Sequence, residues 1–347
     1  MTPRGPAAES SAVPVLEVRN LVVEVPVGGG CAPAVNGVSF ELSAGEAVAV
    51  VGESGCGKTL TGRALLGLAP DGAGVRGSIR LRGRELSGSS EEEWRRIRGA
   101  EIALVFQEPG AAFDPVVTVG SQIVEALRAH RGLDRRSARA LARERLREVG
   151  FPDPDRGMNE YPHRLSGGLK QRAFLAMALA SNPSVLVADE PTTALDATVA
   201  AQVLELTDRL REKRGLALLL ISHDLGVVAR HADRVLVMYA GRIVEEAPTG
   251  ALFRAPKHPY TRGLLASRPR LLAGRNGART FAAIGGVVPD LASRPRGRCA
   301  FVPRCPDRFE PCDVREPALY PTDTGVARCF LYEPDRETGN GKRETSG

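Results

Sequence analysis

The chain of 347 residues is long enough for one large domain followed by a smaller one. Its apolar content of 43% supports a hydrophobic core, and because aromatic residues make up only 5%, that core must be built mainly from Val, Leu, Ala and Ile. The net charge of +6 is accompanied by no motif for RNA or DNA, and no apolar run approaches the ~20 residues of a membrane span, so we expect neither nucleic-acid binding nor a transmembrane helix.

The chain begins with a segment rich in Pro, Ala and Ser, residues 1–14, which predicts a flexible N-terminus without the apolar region of a signal peptide. Alternating apolar and polar residues predict strands over residues 15–25 and 38–42. Residues 47–51 form a short apolar run directly before a glycine-rich loop, and this context predicts a buried strand.

Helical and strand patterns follow one another in the middle of the chain. Residues 118–150 carry apolar side chains at helical spacing, and Asp134 is placed to cap the second of two helices. Residues 185–188 and 216–221 are apolar runs of strand length. Buried strands separated by helices predict an α/β core with a largely parallel sheet.

The composition changes after about residue 250, where helical and strand periodicity fades and Pro, Arg and Cys become frequent. We therefore predict a large α/β domain over residues 15–250 and a smaller C-terminal domain over residues 251–332. The polar composition of residues 333–347 predicts a disordered tail.

A phosphate-binding loop is predicted directly after the strand over residues 47–51. The pattern G-x-x-x-x-G-K-[ST] is matched by Gly52, Glu53, Ser54, Gly55, Cys56, Gly57, Lys58 and Thr59, and we extend the nucleotide-binding segment to Leu60. In such a loop, backbone N–H groups and the start of the next helix face phosphate oxygens. We expect Lys58 to contact the β- and γ-phosphates and Thr59 to offer its hydroxyl to Mg²⁺. A chance glycine-rich turn is the alternative, which the flanking strand and helical pattern disfavour.

Two acidic residues, Asp189 and Glu190, directly follow the apolar run over residues 185–188. Because α/β sheets bind ligands at the carboxyl ends of their strands, this position predicts a functional pair. We expect Asp189 to hold Mg²⁺, mostly through water, and Glu190 to act as the base or the orienting group for the attacking water. The pair would be weak evidence alone, but together with the phosphate-binding loop it predicts ATP hydrolysis.

Further motifs resemble those of the ABC ATPases over roughly residues 15–250. The stretch that is similar to the family's LSGGQ-type signature consists of Leu165, Ser166, Gly167, Gly168 and Leu169. Gln107 resembles the glutamine of the Q-loop, Asp196 the aspartate of the D-loop, and His223 the switch histidine, and these elements follow the family's order. The resemblance implies a P-loop ABC ATPase domain with a RecA-like core, an antiparallel β subdomain and a helical subdomain that carries the signature.

The same resemblance implies roles for these residues. Gln107 would sense Mg²⁺ and the attacking water and contact a membrane subunit, while His223 would contact the γ-phosphate; with Lys58 and Glu190 they form the expected catalytic set. The signature would act on nucleotide held by the opposite subunit, so that two chains enclose ATP. Ser166 would in either case cap a helix, and a lone histidine is most often a satisfied core residue.

Other stretches resemble the ATPases of oligopeptide and dipeptide permeases, a branch that includes nickel importers. The most specific is His258-Pro259-Tyr260-Thr261 with Leu264-Leu265, which opens that branch's C-terminal domain and extends the resemblance to about residue 330. It implies a subunit that energises peptide uptake at the cytoplasmic face of the membrane. The implied partners are a second ATPase subunit, homologous but different rather than identical, two transmembrane permease subunits, and an extracellular or periplasmic substrate-binding protein. Import of nickel or glutathione, or a non-transport ABC ATPase, remains the alternative.

Four of the six cysteines cluster late in the chain, at Cys299, Cys305, Cys312 and Cys329. In a chain expected in the reducing cytoplasm, this clustering favours metal ligands over disulfides. An all-cysteine set suits zinc or an iron–sulfur cluster, and the spacing matches neither the common zinc ribbons nor the ferredoxins. Some members of the peptide-permease branch carry a 4Fe-4S cluster in this segment, so the resemblance implies such a cluster here, with zinc as the alternative.

Overall fold

A computed structural model describes residues 13–193, 195–267 and 284–334. Most of the predicted flexible N-terminus and most of the predicted disordered tail lie outside the described residues. Among the helices of these ranges, none combines the length and the apolar character that crossing a bilayer requires.

Strands and helices alternate along most of the described chain. The strands are β1 (Leu16–Val27), β2 (Gly30–Leu42), β3 (Ala47–Val51), β4 (Gly74–Leu81), β5 (Arg84–Glu85), β6 (Ile102–Val105), β7 (Val185–Asp189), β8 (Ala217–Ile221), β9 (Arg234–Tyr239), β10 (Arg242–Pro248), β11 (Tyr320–Pro321) and β12 (Val326–Ala327). The helices are α1 (Lys58–Ala64), α2 (Glu91–Ile97), α3 (Val119–Arg131), α4 (Arg135–Glu148), α5 (Pro154–Gly157), α6 (Gly167–Ala178), α7 (Ala197–Arg214), α8 (Leu225–His231), α9 (Thr249–Arg254), α10 (Pro259–Ala266) and α11 (Glu310–Val314).

The central sheet has eight strands in the order β11-β12-β10-β9-β3-β8-β7-β6. Neighbours from β9 to β6 are parallel, and β3, β7 and β8 are buried at every residue. Such continuous apolar strands are typical of a parallel sheet that is covered on both faces. The carboxyl ends of the three strands, at Val51, Asp189 and Ile221, meet at one edge of the sheet, which positions the site described below.

A second, antiparallel sheet has the order β2-β1-β4-β5. Its inner face buries alternate residues of β1, among them Leu16, Val18 and Leu21, against the apolar side chains of β3 and α1. This packing corresponds to the antiparallel β subdomain that the resemblance implied. It also brings β2 alongside the turn between β9 and β10, where the N–H of Asn36 donates to the carbonyl of Gly241.

Helices α3 to α6 form a helical layer whose apolar faces pack together and against β6 and β7. The predicted cap of the second helix is present, since the Asp134 carboxylate accepts the N–H groups of Arg136 and Ser137 at 2.8 and 3.1 Å. This capping satisfies two of the N–H groups that the first turn of a helix leaves without partners. Helix α6, which follows the signature-like stretch, packs against α3 and α4.

The segment after residue 250 packs on the central sheet and extends it. Strand β12 pairs antiparallel with β10, with Ala327 opposite Glu245. The Glu245 carboxylate is 1% exposed, and it accepts the backbone N–H groups of Lys257 and His258, both at 2.8 Å. Because these two backbone N–H groups directly precede α10, Glu245 fixes the start of α10 to the sheet.

Candidate active site at the carboxyl edge of the sheet

The glycine-rich loop after β3 has a shape that only glycine permits at two positions. Gly52 has a φ of 153°, and a Cβ atom there would lie 2.1 Å from the carbonyl oxygen of Met238. Gly57 has a φ of 104°, and a Cβ atom there would lie 2.8 Å from the carbonyl oxygen of Ala34. The loop is therefore closely enclosed by β2 and β9, which hold its backbone in one conformation.

The lysine and threonine at the end of this loop lie at the start of α1. Lys58 is 7% exposed, and its Nζ donates to the carbonyl oxygens of Gly52 and Glu53 at 2.8 and 3.0 Å. The hydroxyl of Thr59 donates to Asp189 Oδ1 at 3.1 Å. Residues 130 positions apart are thus joined at one edge of the sheet, as the sequence predicts for a phosphate-binding loop and the acidic pair.

Glu190 directly follows β7, and both its backbone and its carboxylate are hydrogen-bonded. Its N–H donates to the carbonyl of Ile221 at 2.9 Å, its Oε2 accepts the hydroxyl of Thr193 at 3.0 Å, and its Oε1 lies 3.1 Å from Nδ1 of His223. The backbone of Glu190 has a φ of 49°, which is uncommon for a residue with a side chain. A strained backbone of this kind persists where surrounding contacts hold it in place. At Glu190 this backbone conformation sets the direction in which the carboxylate points.

The two neighbouring carboxyl groups have opposite pKa shifts. Burial, reinforced by the adjacent charge of Glu190, raises the pKa of Asp189. Burial also disfavours ionisation of Glu190, but hydrogen bonds from His223 and Thr193 outweigh it and lower the pKa of Glu190. A buried carboxyl group such as Asp189 is stabilised in its charged form by a cation, whereas Glu190 is ionised without one.

Among the described residues, no hydrogen bond joins Gln107 or the signature-like stretch to this cluster. Gln107 is exposed two residues beyond β6, the strand next to β7. Ser166 is exposed and caps α6, accepting the N–H of Leu169 at 3.4 Å. Asp196 caps α7 in the same way, accepting the N–H groups of Thr198 and Val199. Because the start of α6 is exposed, its N-terminal end is suited to contact another molecule.

Sequence reasoning missed two kinds of residue around the site. Thr193, which holds the Glu190 carboxylate, lies three residues after it, and this local spacing could have indicated the contact. Tyr260 and Arg304 contact Glu53 in the glycine-rich loop, and they are separated from it by 207 and 251 residues. No local pattern could have indicated those contacts.

The four late cysteines line one small cavity together with His258, and this cavity has a volume of about 10 Å³. That volume accommodates about one water molecule. All four cysteines are free thiols, and burial raises the pKa of Cys299 to about 12 and that of Cys305 to about 11. Across the described ranges, no group of three or more His, Cys, Asp or Glu side chains is arranged to hold a metal ion. The prediction of a 4Fe-4S cluster was therefore wrong, and the zinc alternative gains no support.

Two family models match this chain. The model described as "ABC transporter" matches residues 35–193, and the model described as "Oligopeptide/dipeptide transporter, C-terminal region" matches residues 244–312. Among solved structures, a dimeric ATP-binding cassette in a post-hydrolysis state, bound to ADP and Pi, has a TM-score of 0.60 and 26% identity, covering 67% of this chain and 98% of that one. The fold and the site together define an ABC-type ATP-binding cassette.

Named relatives identify the branch of ABC cassettes that this chain resembles. The oligopeptide transport ATP-binding protein AppD of Bacillus subtilis is 47% identical over 306 residues, which is 87% of this chain and 92% of that protein. The dipeptide transport ATP-binding protein DppD of the same organism is 45% identical over 330 residues, with 93% and 96% covered. The chain belongs to the family of oligopeptide and dipeptide transport ATP-binding subunits of ABC transporters, as the resemblance in its sequence predicted.

Proposed function

We propose that the chain binds ATP with Mg²⁺ at the edge formed by β3, β7 and β8 and hydrolyses it to drive peptide import. The observation that carries this proposal is the convergence of four side chains there: the hydroxyl of Thr59 on Asp189 and the ring of His223 on Glu190. These groups follow three neighbouring parallel strands, which fix their relative positions more rigidly than a loop alone would.

Each residue of the cluster has a chemical part in this proposal. Lys58, held at the mouth of the loop by two carbonyl oxygens, reaches the β- and γ-phosphates of bound ATP. Thr59 and Asp189 place two oxygen ligands side by side, which is the donor type that Mg²⁺ prefers, and they would hold the ion together with Gln107. When bound, Mg²⁺ neutralises charge on the phosphates.

Glu190 and His223 act on the attacking water and the γ-phosphate in this proposal. Because the pKa of Glu190 is lowered, its carboxylate is a weak base, and we favour the orienting role over proton abstraction as its main contribution. The carboxylate accepts a hydrogen bond from the water and directs its lone pair at phosphorus. His223 is exposed beside it, from where its ring can reach a γ-phosphate oxygen.

The complete site in this proposal needs a second ATPase subunit. Ser166 and the following glycines, Gly167 and Gly168, are at least partly exposed at the start of α6, and they are available to the nucleotide of a facing chain. Leu165 and Leu169 anchor that start in the helical layer, and Asp196 begins the neighbouring helix α7. A dimeric cassette of similar fold supports this arrangement. We propose a homologous but different chain as the partner.

The proposed cargo is a short peptide, because the relatives that cover nearly the whole chain are named for oligopeptide or dipeptide transport. The partners would be two transmembrane permease subunits and a substrate-binding protein outside the membrane, with this chain at its cytoplasmic face. Residues 251–332 would form the C-terminal region typical of this branch, in keeping with the second family match. Import of nickel or glutathione is the alternative cargo.

Lys58→Ala tests the proposed nucleotide site in the full-length chain. Removing two charge-assisted contacts to phosphate should weaken ATP binding about a hundredfold, at roughly 1.5 kcal/mol per contact. Lys213→Ala removes an exposed lysine of α7 and serves as the matched control, with ATP affinity unchanged. Equilibrium titration with ATP measures both. Wild-type affinity in the Lys58 variant would contradict the proposed site.

A further inference from the structure

The outer side of the glycine-rich loop is in contact with the segment after residue 250. Arg304 donates two hydrogen bonds to the carboxylate of Glu53, the second residue of the loop, at 2.8 and 2.9 Å. The Arg304 side chain is 4% exposed, so the pair is largely shielded from water on the arginine side. A bidentate pair in this setting fixes orientation as well as distance.

Two further side chains hold the same loop. The hydroxyl oxygen of Tyr260 accepts the backbone N–H of Glu53 at 2.9 Å, and Tyr260 is fully buried against Tyr239, with ring centres 4.7 Å apart. Arg294 donates to the carbonyl oxygen of Gly55 at 2.8 Å and to that of Ala34, in β2, at 3.1 Å. Tyr260, Arg294 and Arg304 together are called the loop brace below.

The contacts of the loop brace use a single N–H group of the loop, that of Glu53. They engage the side chain and N–H of Glu53 and the carbonyl oxygen of Gly55, and they use no other N–H group of the loop. A glycine-rich loop has few hydrogen bonds of its own, so its conformation in the absence of ligand depends on such outside contacts. Holding the loop in its binding conformation reduces the ordering that ATP binding must otherwise supply.

The loop brace is itself held by the C-terminal segment. Nε of Arg304 donates to the carbonyl of Gly285 at 2.8 Å, and its guanidinium lies 5.8 Å from the ring centre of Tyr239. Arg304 ends a short turn, Val302–Arg304, that lies between Cys299 and Cys305 of the cysteine-lined cavity. The packing of residues 284–334 therefore determines where the Arg304 guanidinium meets the loop.

We propose that Tyr260, Arg294 and Arg304 are positioning residues of the nucleotide site, through which the C-terminal segment sets the affinity for ATP. This inference rests on the proposed function of the loop as the phosphate site. Arg304 acts through Glu53 and touches no phosphate, so its loss should raise the Kd and KM for ATP and affect kcat at saturating ATP much less.

The test compares four variants of the full-length chain by ATP titration and by hydrolysis at varied ATP. Arg304→Gln and Glu53→Gln each remove one partner of the pair, and we expect each to raise Kd about five- to tenfold. The Kd of the double variant for ATP should be no higher than about that of the weaker-binding single variant, because the two residues act as one contact. Arg308→Gln changes an exposed arginine of the same segment and should leave Kd unchanged.

Several outcomes would overturn the inference. Unchanged Kd in both single variants would do so, as would losses that add in the double variant, since additive losses mean that Arg304 acts independently of Glu53. If a thermal melt shows that Arg304→Gln is not folded, the Kd values of Glu53→Gln and Tyr260→Phe test the inference instead. Tyr260→Phe keeps the buried ring and removes only the hydroxyl that accepts the Glu53 N–H. Lys58→Ala in the same titration distinguishes this inference from the proposed function of the loop as the phosphate site. If Lys58→Ala loses ATP binding while the variants of the loop brace bind ATP normally, only the role of the loop brace is refuted.

Discussion

Replacing Glu190 with glutamine should separate ATP binding from ATP hydrolysis. The substitution keeps the size of the side chain and an oxygen that can accept from Thr193, but it removes the charge that His223 and the attacking water meet. A group that positions or deprotonates the nucleophile contributes about 10²- to 10⁴-fold, which corresponds to about 3–5 kcal/mol in the barrier. Because the glycine-rich loop lies on β3 and is untouched, ATP affinity should stay within about threefold of wild type.

The assay is phosphate release at saturating Mg²⁺ and ATP, with ATP affinity measured on the same preparation. Glu205→Gln serves as the matched control, since Glu205 pairs with Arg230 at the surface and both side chains are well exposed. The control should retain full activity. A Glu190→Gln rate within threefold of wild type, with normal ATP binding, would refute the orienting role of this carboxylate.

Other predictions concern the facing chain and stability. Ser166→Arg should abolish ATP-dependent association of this chain with its partner ATPase subunit in a light-scattering test, because a bulky cation replaces the exposed cap of α6; normal association would count against a shared site. Asp134→Ala should lower the free energy of unfolding in urea melts, through loss of the α4 cap, while an unchanged free energy of unfolding would show that the cap is not formed.

For Glu85, burial raises the pKa, but hydrogen bonds from Ser78 and Ser87 outweigh it and hold the pKa at about 2, below its usual 4.5. Its stabilising effect is therefore present above pH 4.5 and is lost as the pH falls towards 2. Glu85→Gln should cost about 1 kcal/mol at pH 7, after allowance for solvent screening of this exposed group, and the difference from wild type should shrink at pH 3.5. A difference independent of pH would contradict this assignment.

The parts of the fold that local patterns specify were predictable from the sequence. The apolar runs over residues 47–51 and 185–188 correspond to β3 and to all but the last residue of β7, because a strand buried on both faces has no polar residues. Asp134 was identifiable as a cap from its position before the helical pattern alone. The α/β cassette fold followed from such elements and from the order of the motifs, and the similarity to solved cassettes confirms it.

Contacts between residues that are far apart in the sequence were not predictable. The pairing of β12 with β10 and the contact of Arg304 with Glu53 depend on how the last third of the chain folds back on the sheet. The cysteine cluster illustrates the same limit, because the sequence could not reveal the size of the cavity that the four thiols line or the raised pKa of Cys299. Residue type specifies which ligands are available, and tertiary packing decides whether a metal fits between them.

ATP-dependent uptake into vesicles that contain the chain with its permease subunits tests the central claim most directly. With the substrate-binding protein present, a labelled short peptide should accumulate only when ATP is supplied on the side of this chain, and the Glu190→Gln variant should reduce the initial rate at least a hundredfold. Unlabelled peptides should compete, whereas nickel and glutathione should not. Peptide uptake that is indifferent to the Glu190 variant, or transport of nickel or glutathione in place of peptide, would contradict the account.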